Sequence, residues 1–405
     1  MRARVWLARG RAQPFWCGHP WVFDGAIQRV EGSANAGDLV ELFDHQDQRI
    51  GTGFFQPNAS LRIRLLSFGA EFAELDREFF IRRFSASRAL REERLKLWRE
   101  DNQAYRLCNA EGDGLGGLFV DVFGERLSVQ LSTFGMLRRV DAIVEALAHL
   151  WPERPLQLSA NREAQKMERW PKEALSRLET ANSEQPHAFI EEGVRYLLPT
   201  GQGQKTGHYL DQRVNRRRFQ DLASGDVLDA HCYTGGFALH AAKAGARVLA
   251  VDASERAIQQ LALNAGLNGV PMCELGARGP GIQARAAAVE SVLVQCQSES
   301  RLFDVINLDP PKLAPRMAHV EKALSMLDRL LELALAVLRP GGLLCLSSCS
   351  QGIELESMAR RVAMVAGRMQ RTSLLLEQAG QPADHPTPAA LREARYLSFG
   401  VFLID

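Results

Sequence analysis

The stretch Phe303-Asp304-Val305-Ile306-Asn307-Leu308-Asp309-Pro310-Pro311-Lys312 decides how this chain is read. Phe303 to Leu308 is a short apolar run, and the Pro310-Pro311 pair behind it cannot continue a sheet ladder. A buried parallel strand that stops at Asp309 is expected. In an open α/β sheet, ligands bind outside the carboxyl ends of the strands, so chemistry is expected at the D-P-P-K turn. The plain alternative is a strand end with a capping aspartate, and the flanking sequence has to decide.

Upstream, Val227-Leu228-Asp229-Ala230 reads as a first strand. It runs into His231-Cys232-Tyr233-Thr234-Gly235-Gly236-Phe237 and then a helix to about Lys243. A strand, a glycine turn and a helix bring backbone N–H groups and a helix N-terminus to a ligand. Gly235 and Gly236 are expected to let a bulky ligand lie against the backbone. Arg247 to Asp252 is a second strand ending in a carboxylate, about twenty residues beyond Asp229, where an acid can accept hydrogen bonds from a ribose diol. Turn, acid and D-P-P in this order fit a class I S-adenosylmethionine (SAM) methyltransferase. The G-x-G-x-x-G spacing of a dinucleotide dehydrogenase is absent.

Downstream, Met317 to Leu338 is helical in period and stops at Arg339-Pro340-Gly341-Gly342. Leu343 to Ser350 reads as the next strand, running towards the same edge as Asp309. Cys345, mid-strand, is expected in the core. Cys349 lies at the carboxyl end, where a nucleophile would be needed. Alternating strands and helices make residues 199–405 a parallel, doubly wound α/β domain. Just ahead of it, Arg213, Arg216 and their neighbours are either a solvated helix face or a contact for RNA phosphates.

Residues 1–70 show short strands at Val5–Ala8, Leu39–Phe43, Ile50–Phe55 and Leu61–Leu66, separated by turns, which suggests a small β-barrel-like module. Arg62 and Arg64 share one strand face. With Trp21, they are candidates for stacking on bases and holding phosphates, although Trp21 and Phe23 alone read as core. Residues 71–198 read as a mixed α+β module. Phe72 to Glu100 is amphipathic helix, Met136 to Leu150 is a second helix, and the glycine-rich turn at 112–117 joins two strands. Ser159 to His187, rich in Glu, Arg and Gln, reads as a solvated connection.

The 405-residue chain has a net charge of +1, so no bulk field draws it to nucleic acid or membrane, and any such binding must come from local patches. No apolar run is long enough to span a membrane, and no signal peptide is expected. Seven scattered cysteines without a C-x-x-C pair argue against a disulfide framework or a zinc site, and for a reducing cytoplasm.

Taken together, GHPWVF, NAEGDGLGGLFVD, KTGHYLDQR, YTGGF, FDVINLDPPK, SSCS and the late Ala383-Asp384-His385-Pro386 resemble the PUA-domain bacterial 23S rRNA cytosine-5 methyltransferases, the large-subunit methyltransferase I family. The likeness spans the chain apart from about 150–190. It implies a PUA RNA-binding module at 1–70, a central α+β module at 71–198 and a Rossmann-like SAM domain at 199–405. It implies that Lys205, Tyr209, Asp211, Asp229, Tyr233, Gly235, Gly236, Asp252 and Asp309 face SAM. Cys349 would be the nucleophile, with Asp309 and Lys312 beside it, and Trp21, Arg62, Arg64, Arg213 and Arg216 would meet RNA. The implied partner is 23S rRNA; a homodimer is left open. One departure is Ala286-Ala287-Ala288-Val289, where the family usually carries an acid ahead of the valine.

The chemistry accounts for the residue types. Cytosine C5 is a poor nucleophile until a thiolate adds to C6 and makes C5 enamine-like. An ordinary thiol is mostly protonated at neutral pH, so Cys349 needs a positive or hydrogen-bonding neighbour, for which Lys312 is a candidate. Asp309 suits the amine and N3 edge of the base. Two other readings stand beside this one. The first is an exocyclic-amine methyltransferase, which usually places an aromatic after the prolines. The second is a catalytically silent RNA-binding or assembly factor.

Overall fold

The computed structural model describes residues 2–69, 74–176, 178, 186–198, 208–274, 279–313, 320–350 and 352–405. They form two compact units. Met1–Ile190, Thr200–Leu210 and Ala383–Ala394 make the first, and Glu191–Pro199, Asp211–Pro382 and Arg395–Asp405 the second.

In the first unit, Arg4–Leu7, Trp21–Phe23, Ile27–Glu31, Leu39–Phe43, Arg49–Phe55 and Leu61–Phe68 form one six-stranded sheet. Alternation drives it: in Leu39–Phe43 only Val40 and Leu42 point inward, and they meet Val5, Leu7, Val22 and Ile63 in the core. The strands Trp21–Phe23 and Ile27–Glu31 are additions to the sequence reading. The second has only one partly buried residue, so no apolar alternation marks it.

A four-stranded sheet follows, built from Ala104–Asn109, Leu118–Phe123, Arg126–Leu131 and Leu156–Ala160. Helices Arg77–Arg88 and Val140–Leu150 pack with it around Phe80, Phe84, Leu107, Val120, Ile143 and Leu147. Asp76 starts the first helix by accepting the Phe79 N–H at 2.8 Å. Residues 159–187 are not the solvated connection expected. Their described part holds a helix, Arg162–Glu168, capped by Asn161. It also holds Trp170, buried with its ring 6.2 Å from that of Phe134.

Arg91 ties this unit together. Its guanidinium has no exposure and makes a bidentate pair with Asp113 at 2.5 and 2.8 Å. It also donates to the carbonyls of Arg106 and Asp384. The segment Ala383–Ala394 is held in the same place by Asp384 Oδ2, which accepts the Arg106 N–H at 3.0 Å, and by the Pro386 carbonyl, which accepts from Asn109 Nδ2 at 2.9 Å.

In the second unit, beyond the strand Val194–Leu198, the element order is α1 (Arg213–Leu222), β1 (Asp226–Ala230), α2 (Gly236–Lys243), β2 (Arg247–Asp252), α3 (Glu255–Leu267), β3 (Gly281–Ala286) and α4 (Val289–Ser298). Then come β4 (Phe303–Leu308), α5 (Val320–Ala336), β5 (Leu338–Ser348), α6 (Leu355–Arg368), β6 (Ser373–Gly380) and β7 (Ser398–Ile404). The sheet order is β3-β2-β1-β4-β5-β7-β6. The first five strands are parallel, and β7 runs antiparallel between β5 and β6. The quoted stretch is β4, buried on both faces among Leu228, Leu249, Leu331 and Leu344. The α5 helix stops at Ala336, two residues earlier than its periodicity suggests, and Arg339 to Gly342 already belong to β5. Strand order reverses between β1 and β4, so the carboxyl ends of these two strands open a crevice. Among the described residues, no helix is long and apolar enough to cross a membrane, and no His, Cys, Asp or Glu group could hold a metal ion.

Replacing Arg91 with Ala would strip the nearly buried Asp113 carboxylate of this ion-pair partner, with Ser87 Oγ and the Asn109 N–H still donating to it. Such losses cost about 3–5 kcal/mol. Chemical denaturation of the R91A protein should show the loss in the transition of the first unit; a midpoint matching the parent would refute it.

Candidate active site

The turn after β1 is held by the protein itself. His231, Tyr233 and Gly235 all have positive φ, at 63°, 48° and 86°. A Cβ on Gly235 would stand 2.6 Å from Leu261 Cγ, and one on Gly236 would stand 2.8 Å from Arg216 Cδ. The glycines are therefore required by their own neighbours, α3 and α1. Asp229 departs from the sequence reading. It is wholly buried, its Oδ2 accepting the Ala238 N–H and its Oδ1 accepting from Asn307 Nδ2, both at 2.8 Å. It cannot face SAM. It caps α2 and ties β1 to β4, and burial pushes its pKa up to about 6 despite those two hydrogen bonds.

Asp252, at the end of β2, is half-buried and suits a diol better. Oδ2 accepts the Tyr233 N–H and Oδ1 the Ser254 N–H, both at 2.9 Å, which leaves acceptor capacity on each oxygen. Beyond β3, Ala288 is exposed and Ala287 donates its N–H to the Asp252 carbonyl. No side-chain carboxylate lies on Ala286 to Ala288.

A second cluster lies at the ends of β4 and β5. The Asp309 N–H reaches the Ala230 carbonyl at 3.3 Å, so the D-P-P turn begins against the end of β1. Gln212 Nε2 is shared between both Asp309 carboxylate oxygens, at 3.2 Å each, and Ser347 Oγ at 3.1 Å. Asn215 Nδ2 fixes the Gln212 amide by donating to Oε1 at 2.7 Å. Asp211 accepts the Tyr396 hydroxyl proton on Oδ2 at 2.7 Å. Cys349 follows the end of β5 and is partly exposed, whereas Cys345 is fully buried in the sheet. Lys312 is exposed.

The electrostatics join these groups. Part of the Asp309 surface reaches solvent, yet the surroundings of its carboxyl are almost all protein. Burial, then the charges of Asp211 and Asp229, push its pKa up to about 7 against the pull of Arg216 and Gln212. The Cys349 thiol is also pushed up, first by burial, then by Asp309 and Asp211; Lys312 opposes them without prevailing. The sequence reading did not single out Gln212, Ser347 or Tyr396. Gln212 adjoined a quoted aspartate, but Tyr396, in a segment far along the chain, gave no signal.

The RNA candidates are largely spent on internal contacts. Arg213 and Arg216 are buried. Arg213 pairs with Glu192 at 2.8 Å, and Arg216 makes a bidentate pair with Glu191. They are not the phosphate contacts expected. Arg64 pairs with Glu111 at 2.8 Å and lies over the Trp21 ring, and Trp21 Nε1 donates to the same carboxylate. Arg62 holds Asp24 at 2.5 Å. Tyr209 is exposed in the first unit, Tyr233 is part of the β1 turn, and Lys205 lies outside the described residues.

Comparison with known proteins gives this site its family. A model for a PUA-like domain matches residues 5–68, and one for an S-adenosylmethionine-dependent methyltransferase matches 115–354. Across 98% of both chains, the sequence is 33% identical to ribosomal RNA large subunit methyltransferase I from Photobacterium profundum and 34% identical to its counterpart from Aeromonas hydrophila. The chain belongs to the ribosomal RNA large subunit methyltransferase I family. The fold of this chain recurs in a candidate SAM-dependent methyltransferase from Streptococcus mutans, at TM-score 0.80 and 18% identity over both whole chains. A further candidate methyltransferase, solved with S-adenosylhomocysteine, gives 0.81 at 19% identity, again over both whole chains. The cofactor of this family member is SAM. The residues present fit it: Asp252 keeps acceptor capacity for a diol, and the β1 turn is preformed.

The raised pKa of Asp309 has a consequence for stability. Its folded-state pKa, about 7, lies above the ordinary carboxylate value of 3.8. The stability it contributes is therefore complete below about pH 4 and lost as pH rises through 7. An Asp309→Asn protein should melt higher than the parent at pH 8, by roughly 2–4 °C, the worth of about 1 kcal/mol in a unit of this size. The gain should shrink towards pH 4. Thermal melts across that range check the sign, and a lower melting temperature at pH 8 would contradict it.

Proposed function

We propose that this chain methylates C5 of a cytosine in 23S rRNA through a transient bond between Cys349 Sγ and cytosine C6. The observation that carries the reading is Cys349 beyond the end of β5, within electrostatic reach of Asp309, Asp211 and Lys312. The names of the relatives support rRNA as substrate, and the PUA-like match supports a module at 1–70 that docks it, with a central module at 71–198 and the methyltransferase domain at 199–405. The alternative, methylation of an exocyclic amine, usually brings an aromatic behind the prolines, and here Lys312 stands there.

SAM, when bound, supplies an electrophilic methyl group, and Asp252 and the β1 turn are the groups to hold it. The protein's part begins with the thiol. An Asp309 carboxylate with a pKa near 7 is a competent acceptor for the Cys349 proton at neutral pH. The thiolate adds to C6, and the electron pair of the C5=C6 bond moves to C5. Asp309, now protonated and steadied by Gln212, faces the N3 edge and stabilises the charge that builds there. Lys312 opposes the rise in thiol pKa and so favours the attacking form. The base must be unpaired or turned out of its helix to reach the sheet edge.

Cys349→Ala should abolish methyl transfer to 23S rRNA while leaving SAM affinity within about twofold, as read by calorimetry. Full activity in that variant would remove the covalent route.

A further inference from the structure

Once C5 carries its methyl group, the adduct has to lose the C5 proton before Cys349 can leave, and this step needs a base. Asp309 is committed to N3 in the reading above. Asp211 is the other carboxylate at this sheet end. Its Oδ2 is fixed by the Tyr396 hydroxyl at 2.7 Å. Its Oδ1 is shut off from bulk water and has no hydrogen-bond partner among the described residues. Its neighbour in sequence, Gln212, clamps Asp309, and its charge is felt at both Asp309 and Cys349. A buried carboxylate oxygen without a donor is a standing cost to the fold, and a proton acceptor is the role that gives it a use.

We infer that Asp211 Oδ1 is the general base that takes the C5 proton, with Tyr396 holding the carboxylate in position. The inference rests on the cytosine-C5 reading. In this step the C5–H bond breaks and its proton goes to Asp211. The electron pair restores the C5=C6 double bond as the S–C6 bond breaks and Cys349 departs as thiolate. Asp211 then returns the proton to solvent. This assigns Asp211 to the base-facing end of the site, away from the cofactor role that the family resemblance implied. Tyr396 acts only through Asp211 and is a positioning residue.

The test uses the full chain with protein-free 23S rRNA transcribed with [5-³H]cytidine triphosphate and SAM carrying a ¹⁴C-methyl group. The parent should release tritium in step with methyl incorporation. In Asp211→Asn, tritium release should fall on the order of 10²–10⁴-fold. Methyl label should still enter once and remain on a protein–RNA adduct that survives a denaturing gel. Tyr396→Phe, which keeps the ring, should slow tritium release without changing SAM affinity or melting temperature. Tritium release at the parental rate in D211N would overturn the inference, as would joint loss of methylation and release with no adduct in a D211N protein that still binds SAM. If the parent itself methylates without releasing tritium, the C5 reading fails instead, and the two failures are told apart.

Discussion

Asp229 has no contact with water, and the geometry of the site depends on it. Its two oxygens serve two elements at once, the first turn of α2 and the Asn307 amide in β4. A carboxylate so placed is stabilised by the helix N-terminus and by two donors, though not enough to cancel desolvation. It joins the two strands between which the sheet order reverses. Loosening it would loosen both the turn that leads to Asp252 and the strand that delivers Asp309.

The cluster at the ends of β4 and β5 follows a different logic. Its groups are kept away from their ordinary charge states by crowding of acids in a poorly hydrated place. Asp309 and Cys349 are both pushed towards their protonated forms, and among the described residues the positive charge that opposes this at the thiol is that of Lys312, which solvent screens. The buried Arg216–Glu191 pair belongs to this economy too, since Arg216 lowers the pKa of both Asp229 and Asp309.

Much of the second unit was legible because its strands are buried on both faces and read as continuous apolar runs. Arg247–Asp252 and Phe303–Leu308 have the limits that the residues alone suggest. The failures share a cause: local reading cannot see a distant partner. Arg213 and Arg216 look like a solvated charge run until Glu192 and Glu191, more than twenty residues earlier in the chain, are folded against them. Trp21 and Arg64 look like an RNA platform until Glu111 takes both. The strands β6 and β7 escaped because only the pairing of β7 with β5, and of β6 with β7, gives them a place in the sheet.

The docking of Asp384 and Pro386 onto the turns around Arg106 and Asn109 bears on how the chain is made. A ribosome delivers the polypeptide from its amino end, and domains usually complete themselves as they emerge. Here the first unit remains short of a component encoded some two hundred residues after Ile190. The carbonyl of Asp384 that Arg91 awaits appears only after that interval, a delay on the order of tens of seconds at usual elongation rates. During that interval a buried guanidinium lacks one of its acceptors, so the nascent amino-terminal half is an incomplete body whose closure is timed by the translation of the catalytic sheet itself.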